Sequence, residues 1–388
     1  MHKVLERVEK LADYFRDHAT DAEEAGRLPD ATAQKLRDAG VIRMLQPVEH
    51  GGYEAHPVEF FEAVLEIGSY CGAAGWVSGV VGVHPWQLGQ WDRRMQAELW
   101  GDDPDTWIAS PYAPMGRARR VDGGYVFGGR WPFSSGTDNC DWIILGGLLA
   151  DENGDVIDPE PYNFILPRSD YTIHHDSWQV MGLSGSGSKD VSIEDAFVPD
   201  YRVNRQSNFQ NGIAARAVGR DQPLYQLPFG SIFPAAINCA TLAMAEGALG
   251  AFVDYSRNRV TVKGTATATD PAHLSTLGAA AADIAASRTQ FLDDWNRMYD
   301  VVAAGGVITD GMRLQLRRNG VRAVRRSVDA VDQLFAHAGG GSLHRSRPIQ
   351  RFWRDMHAGM NHICNVADPM YQAFGLDLFG FEPDPVGW

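Results

Sequence analysis

The residues best equipped for chemistry in this sequence are hydroxyls and imidazoles set among aromatic rings. Trp131-Pro132-Phe133-Ser134-Ser135-Gly136 places two adjacent serines where a strand pattern ends. His84 precedes Pro85 and Trp86, and His362 stands two residues before Cys364. An imidazole titrates near pH 6.5, so it can donate, accept or carry a proton at neutral pH. A serine hydroxyl donates and accepts at small size. Each type also has a plainer use: serines make turns, a histidine before proline suits a helix break, and a lone helical histidine is an ordinary core or surface residue. Other chemistries lack their motifs. There is no G-x-S-x-G elbow and no H-E-x-x-H helix. No G-x-G-x-x-G joins a strand to a helix, no phosphate-binding loop occurs, and Gly339-Gly340-Gly341-Ser342 follows a helix instead of opening one. Cys71, Cys140, Cys239 and Cys364 stand apart, with no C-x-x-C pair and no histidine at zinc spacing, so neither a metal nor a disulfide framework is expected.

The elements that must position these groups show in the periodicity. Among 388 residues, 35 are basic and 49 acidic, a net charge of −14 that speaks against nucleic acid as a partner. At 44% apolar and 22% charged the chain has an ordinary globular composition. Its first residues spread charge through an amphipathic pattern, with no apolar run and cleavage site, so the cytoplasm is the expected compartment. No membrane partner is expected either: residues 233–253 are strongly apolar but include Asn238 and Glu246, and read as a buried core helix. Helical spacing runs to about residue 100, through Val4, Val8, Leu11 and Phe15, restarting after Leu28-Pro29-Asp30, with a long helix over 57–70. Small residues crowd 71–82, suiting close helix packing or approach to a ligand. From Trp107 to about Arg205 short β-type runs alternate with turn clusters. Long helical patterns return over 232–259, 271–304, 310–338 and 347–374. The expectation is an α+β fold: an N-terminal helical domain (1–105), a central antiparallel β domain (106–210) and a C-terminal four-helix bundle (211–388).

Several segments then resemble a known superfamily. Trp131 to Gly136 resembles the W-x-T/S-x-G flavin loop of the acyl-CoA dehydrogenases. Gly185-Ser186-Gly187-Ser188-Lys189-Asp190, leading into 191–199, is similar to their G-x-x-x-S strand. Asp332-Gln333-Leu334-Phe335 with Gly339-Gly340-Gly341, followed by Pro348 to Arg354-Asp355, resembles their Q-x-F-G-G-x-G and R-D segment. The α, β, α order agrees over nearly the whole chain. Residues 81–88, 112–116, 223–231 and 357–362 more closely resemble the oxygenase components of two-component flavin-dependent aromatic hydroxylases, the steroid-phenol 4-hydroxylase and p-hydroxyphenylacetate hydroxylase type. Dehydrogenases commonly carry a proton-abstracting Glu about nine residues past the R-D arginine. Here that neighbourhood is His362-Ile363-Cys364, and no Glu occurs between Arg354 and Phe381.

That resemblance implies a flavin-dependent monooxygenase. Reduced flavin, FADH2 or FMNH2, would come from a separate NAD(P)H-dependent flavin reductase and form a C4a-hydroperoxide with O2. That species hydroxylates a small aromatic substrate, a phenol with polycyclic phenols among the candidates, ortho to its hydroxyl. On the same footing Ser134 and Ser135 would meet the flavin N5 and O4 edge, a small hydroxyl being able to adjust its donor direction, with Trp131 and Phe133 beside them. His362 would lie over the flavin as a cationic or donor imidazole. His84 and Ser110 would meet the phenol, His84 drawing off its proton, within walls that include Trp86, Tyr225 and Phe229. Cys364 stands where the p-hydroxyphenylacetate branch has a tyrosine. Arg259 would contact the flavin, and Gln333, Gly339 and Gly340 its phosphate or adenosine end from a neighbouring subunit of a homotetramer. Two other readings use this fold: an N- or S-oxygenase of natural-product or sulfur metabolism, and an acyl-CoA dehydrogenase with its base displaced to Glu246.

Overall fold

The computed structural model describes residues 2–261 and 264–383. Its helices begin where local chemistry permits. At Pro57–Tyr70 the His56 imidazole accepts the Val58 amide, and Pro57 occupies the first turn, where it has no intrahelical N–H to lose. Cys71 is extended and Gly72–Leu88 starts immediately after it; Pro85 lies in its last turn without ending it, so His84 is a helical residue and not a cap at a break. These two helices cross Phe229–Arg257 through small residues. A Cβ on Gly75 would sit 2.3 Å from the Gly68 Cα, and one on Gly68 would sit 2.4 Å from the Ala243 Cβ. The small-residue run therefore serves close helix packing. Phe229–Arg257 is long and apolar enough to cross a membrane, yet it is a core helix, buried along most of its length by the protein itself.

The sheet comprises β1 (Ile108–Ala109), β2 (Gly116–Val121), β3 (Gly124–Ser134), β4 (Trp142–Ala150), β5 (Val156–Pro167), β6 (Thr172–His174), β7 (Lys189–Pro199) and β8 (Val203–Arg205). Its order is β6-β7-β3-β2-β4-β5-β8, with β1 beside β4. The expected antiparallel domain is corrected here to a mixed one, because β1 and β2 both run parallel to β4. The cause is topological: β3 folds back on β2, its far edge is taken by β7, and the chain after β3 crosses to the other edge of β2, where β4 runs in the direction of β2. Period-2 patterning marks where strands lie but not which edges meet. Phe127, Trp131 and Phe164 fill the sheet's core, and Gly116 and Gly147 leave room for those rings.

The C-terminal helices are Phe229–Arg257, Pro271–Ala303, Asp310–Ala338, Pro348–Met360 and Ala367–Leu378. The single helix expected over 347–374 is thus two, and the bundle of four gains a fifth. Pro369 supplies the reason. Inside a continuous helix it would lose a hydrogen bond and clash with the carbonyl four residues back, whereas in the first turn of Ala367–Leu378 it does neither. The break leaves His362 in extended conformation ahead of the short turn Ile363–Asn365, with its side chain off the helix cylinder.

The helix crossing predicts opposite outcomes for two similar changes. Gly75→Ala is expected to lower unfolding stability by about 1–3 kcal/mol, since backbone stands where its methyl must go. Gly278→Ala, on an exposed face with nothing within 4 Å of the new carbon, is expected to raise it by up to about 1 kcal/mol. Denaturant unfolding of both variants checks this.

Candidate active site

Ser134 and Ser135 close β3 at an irregularity. The ladder with β7 shifts register between Trp131 and Ser134, and Phe133 takes a left-handed φ of +64°. The bulge re-aims the side chains. Trp131 turns into the sheet, fully buried, and donates to the Gly146 carbonyl at 2.8 Å. It is corrected from a cofactor contact to a core residue. Phe133 is instead 64% exposed, edge-on to Trp178. Ser134 Oγ is buried with no hydrogen-bond partner among the described residues.

Ser135 Oγ accepts the Trp76 indole N–H at 3.1 Å and lies 2.7 Å from Ser188 Oγ. Ser188 Oγ is 2.7 Å from Ser186 Oγ, which donates to the Leu183 carbonyl at 2.7 Å. The Leu183 amide in turn donates to Asp355 Oδ1 at 2.6 Å. Arg354 donates to the Met181 carbonyl, and Gly182 passes so close that a Cβ there would lie 2.1 Å from the Arg354 carbonyl oxygen. The Arg354-Asp355 pair therefore holds the loop that carries the serines. Burial pushes the Asp355 carboxyl up to about 6.

Across from Ser135, the Trp76 ring meets the His362 ring edge-on at 5.7 Å between centroids. His362 also faces Phe233 at 6.5 Å, and Phe233 meets Tyr112 at 4.9 Å and stacks on Phe229 at 5.4 Å. Tyr112 stands edge-on to His84 at 5.8 Å and donates to Gln87 Oε1 at 2.6 Å. Ser135, Trp76, His362, Phe233, Tyr112, His84 and Ser110 thus form one continuous run of contacts. Tyr112 and Phe233 are absent from the expected site, and Trp76 reads in sequence only as one of several aromatics that could line an apolar pocket. Phe233 reads in sequence as the start of a core helix, and nothing in its spacing sets it apart.

Both imidazoles have defined tautomers. His84 Nδ1 lies 2.6 Å from the Ile108 carbonyl, which only accepts, so Nδ1 carries the proton and Nε2 accepts from Ser110 Oγ at 2.6 Å. Burial holds its pKa down to about 4. His362 Nδ1 accepts the Cys364 amide at 3.2 Å, which leaves the proton on Nε2. Burial and then the nearby Arg317 charge lower its pKa to about 4. The cationic alternative for His362 is therefore set aside, and the ring is a neutral N–H donor above that pH.

The remaining expected residues fall into three places. Trp86 backs Phe229 at 6.4 Å and is fixed by its N–H to the Leu224 carbonyl at 2.8 Å. Tyr225 is corrected out of the pocket wall: it is fully buried against Arg220, with its hydroxyl on Glu54 at 3.2 Å. Cys364 engages through its backbone, the amide on His362 and the carbonyl on Arg317, while burial pushes its thiol up to about 11. Arg259 donates to the Ala338 carbonyl at 2.5 Å and covers Tyr255, and Gly339 lies against its guanidinium. Gly340 and Gln333 are exposed nearby. This group gathers at the ends of the Phe229–Arg257 and Asp310–Ala338 helices. Glu246 is held by both oxygens on Arg288, at 3.0 and 2.9 Å. It lies thirteen residues beyond Phe233 on one helix, a rise of roughly 20 Å, so it does not serve this site as a base.

Helices before and after a mixed sheet, with a strand-end serine across from an imidazole in the break between two C-terminal helices, define the acyl-CoA dehydrogenase-like fold. The family described as "Acyl-CoA dehydrogenase, C-terminal domain" matches residues 235–366. The pigment production hydroxylase of Rhodococcus erythropolis is 46% identical over 383 residues, covering 98% of each chain. The flavin-dependent monooxygenase oxygenase subunit HsaA of Mycobacterium tuberculosis is 39% identical over 98% of this chain and 96% of its own. The HsaA crystal structure matches at a TM-score of 0.92 over 99% of both chains. XiaF from Streptomyces sp., in complex with FADH2 and glycerol, matches at 0.93 with 26% identity, over 99% of this chain and 97% of its own. This chain belongs to the flavin-dependent monooxygenase oxygenase components, enzymes that use reduced flavin and O2 and need a separate reductase.

The buried neutral His84 makes stability depend on acid. The unfolded chain takes up its proton near the ordinary value of 6.5, and the folded chain resists until about 4. Stability is thus complete above 6.5 and is lost as pH falls toward 4, by roughly 3 kcal/mol for this residue. His362 adds a like loss and the raised Asp355 carboxyl an opposing gain over the same range, so the check is the difference in urea-unfolding stability between wild type and His84→Gln, which is expected to shrink by roughly 3 kcal/mol as pH falls from 6.5 to 4.

Proposed function

We propose that this oxygenase hydroxylates a phenol ortho to its hydroxyl, with the flavin ring against Ser135 and Phe133 and the phenol at Ser110 and His84. The observation that carries this reading is the unbroken run of contacts from Ser135 through His362 and Phe233 to the Ser110–His84 pair. The residues present suit a flavin. An exposed aromatic face at Phe133, a buried hydroxyl without a partner at Ser134 and a neutral imidazole donor at His362 offer stacking and hydrogen bonds to a polar heteroaromatic ring. When bound, reduced flavin would supply two electrons to O2, one oxygen atom entering the phenol ring and the other leaving as water.

The protein's part is to orient, exclude water and hold protons. Ser110 donates a hydrogen bond to His84 Nε2 and keeps lone pairs open, so it can accept one from a phenolic O–H. With the His84 pKa held near 4 and a phenol near 10, complete transfer is strongly uphill. The pair draws electron density toward the ring by hydrogen bonding, a narrower role than removing the proton outright. Tyr112, Phe229 and Phe233 supply the apolar walls that select an aromatic substrate.

The group around Arg259, Gln333, Gly339 and Gly340 we assign to the phosphate or adenosine end of a flavin seated in a second subunit of a homotetramer. Exposed apolar side chains at Met181 and Leu343 support such assembly. Residues 1–105, 106–210 and 211–388 are proposed as its three units, residues 1, 262–263 and 384–388 lying outside those described. A supply of NAD(P)H-derived reduced flavin favours the cytoplasm.

Incubation with a flavin reductase, NADH and panels of phenols, amines and thioethers is expected to yield catechols. N-oxides or S-oxides without any catechol would contradict the phenol assignment. Ser110→Ala is expected to lower kcat/KM for hydroxylation by roughly 100-fold and to divert O2 to H2O2.

A further inference from the structure

The hydroxyls behind Ser135 have a direction. The Leu183 carbonyl can only accept, so the single Ser186 hydroxyl proton, 2.7 Å away, points to it. Ser188, 2.7 Å from Ser186, must then be the donor of that pair. The same step puts the Ser135 proton on Ser188, again at 2.7 Å. Trp76 donates to Ser135 from the other side. All three serines are buried, at 6% exposure or less, which keeps bulk water from supplying alternative partners. The far end is fixed as well. Leu183 is held at a left-handed φ of +56° with its amide on Asp355, and its carbonyl also accepts the Trp178 indole N–H at 3.2 Å. The expectation that Ser135 turns its proton as needed is therefore not met: its proton is engaged, and what it offers a ligand is a lone pair.

We propose that Ser186 and Ser188 are positioning residues that make Ser135 an acceptor and thereby set the site's preference between flavin redox states. This rests on the reading that Ser135 meets the flavin N5. Reduced flavin carries a hydrogen on N5, and a lone pair on Ser135 Oγ accepts it. Oxidised flavin has a bare lone pair on N5, which finds no donor at Ser135 and faces another lone pair. An oxygenase that takes reduced flavin from solution gains by this arrangement, because flavin oxidised in turnover is released in exchange for a fresh reduced molecule.

The test compares dissociation constants for oxidised and anaerobically reduced flavin in the full-length protein, its Ser188→Ala variant and its Ser186→Ala variant. Ser186→Ala is the sharper arm. It leaves the Ser188 hydroxyl beside Ser135 and so preserves packing there, but it removes the group that orients the chain. The wild type is expected to bind reduced flavin more tightly. In both variants the ratio of oxidised to reduced dissociation constants is expected to fall about tenfold, equivalent to about 1.4 kcal/mol, mainly through tighter binding of oxidised flavin. An unchanged ratio in both folded variants, or an equal loss of affinity for both redox states, would overturn the relay while leaving the flavin site intact. A wild-type protein that binds neither form would overturn the underlying reading and the relay with it.

Discussion

The site depends on the hydrogen bond from the Leu183 amide to the buried Asp355 carboxylate. It is where the Pro348–Met360 helix takes hold of the loop ahead of β7. Arg354 on the Met181 carbonyl and the close passage of Gly182 complete the grip. From that fixed loop Ser186 and Ser188 reach Ser135, at the end of a strand made irregular by its own bulge. The same helix ends at Asn361, and the extended residue after it is His362. One short helix thus sets both the serine line and the imidazole opposite it. A buried charge accepting a backbone N–H is costly to leave unpaired, which makes this contact a strong constraint on the loop.

The opposite wall has a different logic. Gly72–Leu88 and Phe229–Arg257 approach through glycine and alanine, and the close crossing rigidly sets His84 and Phe233 on neighbouring helices. Both site histidines are kept neutral by burial, yet they present opposite faces. His84 offers its lone pair to Ser110, while His362 offers an N–H. The backbone decides this in each case: a carbonyl at Ile108 makes one ring an acceptor at Nε2, and an amide at Cys364 makes the other a donor. Two residues of one type therefore present two opposite hydrogen-bonding faces, which under the proposed function serve a phenolic hydroxyl and an electron-rich cofactor ring.

Much of the fold is legible in the sequence because its helices are long and clearly delimited. Asp310–Ala338 and Pro57–Tyr70 are bounded by the residues that periodicity and caps indicate. The parallel pairing of β2 with β4 is not legible, since it is decided by which edge the returning chain meets. Pro369 carried the signal for the break before Ala367–Leu378, and a helical pattern continuing past it obscured that signal. In the site, Ser135, His362, His84 and Ser110 are visible through motifs, and they lie on the one run of contacts. Trp131 misleads because a bulge two residues later reverses the alternation that motif reading takes for granted. Tyr225 misleads because an aromatic in a matched segment can equally be core, and here an Arg220–Glu54 cluster holds it. The direction of the serine line is invisible to sequence, as it emerges only when one carbonyl fixes where every proton goes.

Under the proposed function these residues bring reduced flavin, O2 and a phenol into one dry site. A single turnover with photoreduced flavin, a phenol accepted by the enzyme and 18O2 tests it most directly. The expected result is one labelled oxygen atom in the product, on the carbon ortho to the phenolic hydroxyl, formed in near-equal amount to the flavin oxidised. Unlabelled phenol, with all the label recovered as H2O2, would contradict it.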